Sequence, residues 1–136
     1  MIMVKAINHI GIAVKSIADQ RSFYEGSLGA VFEGEEIVVD QKVKVGFFKV
    51  GDVRLELLEP TDPTSTVAQF IEKRGEGLHH VAYTVGDINA RIAELKAKGV
   101  RMIDEKPRAG AHHTQIAFLH PKSSCSVLTE LCEPSH

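Results

Sequence analysis

One stretch of this chain is written twice, and the repeat limits the possible folds more than any other feature. Asn8-His9-Ile10-Gly11-Ile12-Ala13-Val14 returns as His79-His80-Val81-Ala82-Tyr83-Thr84-Val85. Glu56-Leu57-Leu58-Glu59-Pro60 returns as Glu130-Leu131-Cys132-Glu133-Pro134. The copies start and end alike at a period of roughly seventy residues, enough for one supersecondary unit each. A copy of about 65 residues has little core to spare, so the two are expected to pack as one domain.

Inside each copy the hydrophobic period changes in the same order. The two His-containing stretches read as strands, rich in β-branched and small alternating residues. A helical pattern follows each: about Ser16 to Leu28, with Ile17, Phe23, Tyr24 and Leu28 inward, then about Asp87 to Lys98, with Ile88, Ile92 and Leu95 inward. Ser16 and Asp87 suit the N-cap, and Gly29 and Gly99 suit the helix stop. Further strands are expected near Ala30–Glu35, Val43–Val50 and Val53–Leu58, and near Val100–Ile103, Thr114–Leu119 and Val127–Leu131. The class is therefore α+β, built as tandem βαβββ modules. Module 1 covers about 4–60, a linker with a short helix near Val67–Lys73 covers about 61–76, and module 2 covers about 77–134.

The repeat selects four residues for chemistry: His9 and His80 in the first strands, Glu56 and Glu130 in the last. A strand histidine taken alone is more often structural, and a strand glutamate alone more often faces solvent. Burying the same polar types twice is costly unless they share a partner. Two imidazoles and two carboxylates form an N₂O₂ set suited to a divalent transition ion, and an octahedral ion would keep two open positions. His79 faces the opposite side of a regular strand from His80 and is not expected to be a ligand. Glu59 and Glu133 sit three residues after the glutamate ligands, beside prolines, and read as turn or surface carboxylates.

Composition excludes some classes. With 43% apolar and 25% charged residues and a net charge of −2, the chain offers no broad basic face for nucleic acid. Its longest apolar runs are far short of a membrane span. Cys125 and Cys132, seven residues apart in one expected strand region, should lie on opposite faces and stay unpaired. Free thiols without a signal peptide fit a cytoplasmic location.

These residues resemble the vicinal-oxygen-chelate superfamily, whose paired βαβββ modules form a cup-shaped mixed sheet around a metal. Within it, Asn8 to Val14, Leu55-Glu56-Leu57-Leu58-Glu59-Pro60, Gly77-Leu78-His79-His80-Val81-Ala82 and Phe118-Leu119-His120-Pro121-Lys122 resemble the methylmalonyl-CoA epimerases over nearly the whole chain. The resemblance implies His9, Glu56, His80 and Glu130 as ligands of a divalent ion, Co²⁺ first, with Mn²⁺, Zn²⁺ or Ni²⁺ as others. At the Glu56 position the family holds either Gln or Glu. It further implies interconversion of (2R)- and (2S)-methylmalonyl-CoA by proton abstraction at C2 through a metal-stabilised enolate, an acyl-CoA partner and a homodimer.

Inverting a centre calls for acid-base groups on both faces. Some epimerases keep a second glutamate in the third strand of module 1. Here that position is Val45, which cannot transfer a proton, and the adjacent Lys44 points the other way. Glu130 and its counterpart Glu56 are the expected pair, with His112 on a loop in a phrase shared with the epimerases as a further catalytic candidate. His113 lies beside it, His120 is expected to order its turn, and Arg108 and Lys122 could meet CoA phosphates. Competing readings are a glyoxalase I-like lactoylglutathione lyase and a non-catalytic binding protein of the superfamily. The latter predicts lost ligands. A ring-cleaving dioxygenase fits less well, since a fourth ligand at Glu56 would crowd its open positions.

Overall fold

The computed structural model describes residues 3–135. The chain forms two compact units. One is His9–His79. The other takes the described residues before His9 together with those from His80 onward. The division falls inside two strands, β1 (Val4–Ala13) and β5 (Gly77–Val85).

In the His9–His79 unit the strands run in the order β2 (Val31–Val38), β3 (Val43–Val50), β4 (Val53–Pro60), β1. β2–β3 and β3–β4 are antiparallel, while β1 and β4 are parallel, so this part of the sheet is mixed. One face carries Phe48 and Leu57, which pack with Val14, Ile17 and Ala30 and with Tyr24 and Phe32. Helix α1 (Ile17–Arg21) covers that face and runs on as a π-turn over Ser22–Ser27. Ser16 caps α1 as expected, its hydroxyl accepting the Asp19 N–H at 3.2 Å. The π-turn is a departure from the expected continuous α-helix. The Leu28 N–H reaches back five residues to the Phe23 carbonyl at 2.9 Å, a widening that seats Tyr24 against Phe48. Helix α2 (Thr66–Arg74) lies where the linker helix was expected, capped by Ser65.

The second unit repeats the plan with the order β5, β8 (Thr129–Pro134), β7 (Thr114–Leu119), β6 (Arg108–Ala109). β5–β8 is parallel and β7–β8 antiparallel, matching the other half. Helix α3 (Ile88–Ala97) starts at the N-cap Asp87 and buries Ile88 and Ile92 against Val85, Ala117, Leu119 and Leu131. Gly29 and Gly99 follow the helices at φ +73 and +83, as the stop signals predicted. Residues ahead of His9 join this unit: Met3 packs on its core, and the Asn8 amide donates to Thr84 Oγ1 at 3.2 Å.

Two expectations need correcting. The segment Val100–Ile103 is not a strand; only Met102 bridges to Leu119, and Arg108–Ala109 pairs with β7 instead. There the Asp104 carboxylate accepts the Phe118 N–H at 2.9 Å, taking the place of a ladder carbonyl. Pro107, without an N–H, stands between that contact and β6. The two cysteines do not share a strand. Cys125 is exposed in the turn before β8 with φ +55, Cys132 is buried in β8, and neither is in a disulfide. The α+β class and the tandem modules stand. Among the described residues no helix is long and apolar enough to cross a membrane.

Candidate metal centre

The backbone registers reproduce the repeat. In one unit Gly11 of β1 stands opposite Glu56, which stands opposite Phe47 of β3. In the other, Ala82 of β5 stands opposite Glu130, which stands opposite Phe118 of β7. Registered neighbours share a face, and alternate residues return to it. The face away from the helix therefore carries His9, Gly11, Glu56, Leu58, Val45 and Phe47 in one unit. In the other it carries His80, Ala82, Glu130, Cys132, Ile116 and Phe118.

All four expected ligands are buried, between 3% and 7% exposed. Among the described residues the buried polar or charged side chains are these four and Ser65, whose hydroxyl caps α2. So the buried polar groups outside that cap are the ones the repeat selected. His9 Nδ1 lies 3.2 Å from Glu56 Oε2, and His80 Nε2 lies 2.9 Å from Glu130 Oε1. The His80 ring also meets Phe118 edge-on, with centroids 5.3 Å apart. Each unit thus holds one imidazole–carboxylate pair on the same face at the same register. Holding carboxylates and imidazoles away from water is expensive unless something satisfies them. The donor types, neutral nitrogen and anionic oxygen in equal number, are those a divalent transition ion takes. The residues present fit such an ion.

The other candidates fall elsewhere. His79 belongs to the His9–His79 unit and stacks edge-on against Phe70 at 4.9 Å. His120 orders its turn, its Nδ1 accepting the Lys122 N–H at 3.1 Å. Arg108 pairs with Asp104 at 3.2 Å. His112 and His113 are exposed, both with φ +56, a conformation few non-glycine residues adopt. Their loop is pinned at Gly110, where a Cβ would come within 2.6 Å of Thr114 Oγ1 and 2.7 Å of Ile116 Cγ2. Lys44 leaves the ligand face and lies 3.8 Å from Glu35 and 3.6 Å from Glu59.

Two roles escaped sequence reasoning. Glu59 accepts the Ile17 N–H at 2.8 Å, and Glu133 accepts those of Ile88 and Asp87 at 2.9 and 3.1 Å. They are not turn or surface carboxylates but half-buried partners of the helix starts, where the helix dipole favours negative charge. Their recurrence in both copies was the available signal. Cys132 lies two residues beyond Glu130 on the ligand face, its Sγ within 4.8 Å of a Glu130 carboxylate oxygen. No repeat marked it, because Leu58 holds the matching place in module 1.

The sequence pattern of the glyoxalase/bleomycin resistance protein/dioxygenase superfamily matches residues 8–118. The uncharacterized protein YqjC of Bacillus subtilis is 48% identical over 94% of this chain and 91% of its own length. The mitochondrial methylmalonyl-CoA epimerase of Homo sapiens is 36% identical over 92% of this chain and 72% of its own. A methylmalonyl-CoA epimerase solved in complex with methylmalonyl-CoA and NH4⁺ superposes with a TM-score of 0.93 at 36% identity, covering 97% of this chain and 96% of that one.

Proposed function

Because this chain belongs to the glyoxalase/bleomycin resistance protein/dioxygenase superfamily and, within it, to the methylmalonyl-CoA epimerases, we propose that it interconverts the (2R) and (2S) forms of methylmalonyl-CoA. The observation that carries this reading is the pair of buried His–Glu contacts, His9–Glu56 and His80–Glu130, at matching registers of the two modules in a chain whose backbone superposes on that of a methylmalonyl-CoA epimerase. On this reading all four residues hold one divalent ion, Co²⁺ foremost. Such an ion supplies Lewis-acid stabilisation of enolate charge, a contribution of several kcal/mol.

The protein's own part is to bind the acyl-CoA, orient C2 and move its proton. A carboxylate removes the C2 proton, the C–H electron pair delocalises toward the thioester carbonyl, and a carboxylic acid on the opposite face returns a proton. Nothing is oxidised or reduced. Glu130 serves one face in this scheme, and the repeat nominates Glu56 for the other. His112, on the strained loop pinned at Gly110, supports a role in closing over the substrate. Arg108 and Lys122 are the CoA-phosphate partners in the same scheme. In this scheme the protein works in the cytoplasm as a homodimer, and sedimentation of the purified protein would check the dimer.

Proton-to-deuterium exchange at C2 of methylmalonyl-CoA in heavy water, read by NMR with and without Co²⁺, tests the reading. Metal-dependent exchange is expected; its absence would sink the epimerase assignment. A Glu56→Gln variant separates the two duties of that residue. Loss of exchange on one face makes Glu56 a base, whereas full activity leaves it a ligand.

A further inference from the structure

We infer that Glu36, a residue of β2 outside the four-ligand set, exchanges the C2 proton on the module 1 side, where Val45 cannot. This rests on the epimerase reading and moves that duty away from Glu56, leaving it to hold the ion.

A bulge in β2 is the first observation. Phe32 stands opposite Phe48, on the face covered by α1, yet Gly34 stands opposite Phe47, on the ligand face. Two residues of β2 advance against one of β3. Under strict alternation Gly34, Glu36 and Val38 would follow Phe32 onto the helix-covered face. The bulge turns all three to the other side. Bulges re-aim side chains, and they concentrate beside active sites.

Glu36 then stands directly opposite Val45, which stands opposite Leu58, two residues from Glu56 on the same face. The acidic group missing at position 45 is thus present one strand further out, on the same face and beside the buried Val45. Reach is shown by a neighbour. Glu33, the residue that the bulge inserts, stretches across β3 to Arg54 of β4, Oε1 to Nε 3.0 Å. Arg54 shares its face with Glu56 by alternation. Side chains of β2 and β4 therefore meet over the strand between them.

Of the neighbouring glutamates, Glu33 is the residue at the bulge and pairs with Arg54, and Glu35 lies on the helix-covered face, 3.8 Å from Lys44. Glu36 is half-buried, dry enough to matter in a proton transfer and open enough to exchange with water. In the forward direction its carboxylate takes the C2 proton while Glu130 returns one from the other face. In reverse the two exchange duties, so atoms and charge balance.

The test uses a Glu36→Gln variant of the full chain loaded with Co²⁺ and each stereoisomer of methylmalonyl-CoA separately in heavy water. Epimerisation should fall by roughly 10²-fold or more. Wash-out of the C2 proton should persist for one stereoisomer and vanish for the other, because only one of two bases is gone. A Co²⁺ titration followed by its visible absorption should match the unsubstituted protein. Wash-out retained for both stereoisomers overturns the proposal, and so does equal loss for both or weakened Co²⁺ binding. If the unsubstituted protein itself washes out neither proton, the epimerase reading fails and Glu36 falls with it.

Discussion

His9 turns Nδ1 toward its glutamate and His80 turns Nε2, so the two copies present their imidazoles differently although their backbones agree in register. In both, the polar atoms are buried, and what satisfies them governs stability as well as activity. Filling the free protein with Co²⁺ at a hundred times its Kd should add about 2.7 kcal/mol to unfolding, since the ion binds the folded state alone. Urea titrations with and without the metal would show that gain. A His80→Ala variant should show none, and should itself unfold more easily by roughly 1–3 kcal/mol for the carboxylate left behind. These residues were legible because the sequence writes them twice. Glu36 was not, because its face depends on a bulge that no local pattern announces.

At the scale of elements, the Glu-Pro phrases that close each copy do more than end a strand. Glu59 and Glu133 receive helix-start N–H groups that no helical carbonyl can reach. Replacing either with alanine should cost about 0.5–2 kcal/mol, the range of a lost helix cap. Glu105→Ala, at an exposed carboxylate, should stay within about 0.5 kcal/mol. Chemical denaturation of the three variants separates these outcomes. Most of the elements could be read from hydrophobic period and stop signals: Val43–Val50 and Thr114–Leu119 fall where they were expected. The failures have tertiary causes. Val100–Ile103 has strand-forming residues, but Asp104 takes the ladder position with its side chain. The stretch after Arg21 widens into a π-turn because Tyr24 packs on Phe48. Propensity sees neither partner.

For the whole molecule, the division of β1 and β5 between the two compact units matters most. Residues of β1 up to Asn8 count with the unit that holds module 2, while Gly77–His79 of β5 counts with the unit that holds module 1. Each compact unit thus includes strand residues that belong to the other module. The full chain should therefore unfold in one transition, with tyrosine fluorescence and far-ultraviolet circular dichroism giving the same midpoint; two midpoints would mean that the units melt separately. The same division has a use at the bench. Severed in the turn at Asp62-Pro63-Thr64, the chain would yield two pieces that each carry something the other lacks. The shorter would hold Met3 and Asn8, and the longer would hold α2 with Glu76, which accepts the Lys15 N–H at 2.8 Å. Made in separate cells, neither piece should take up cobalt. Mixed, they should colour together, a complementation reporter that the duplication built in advance.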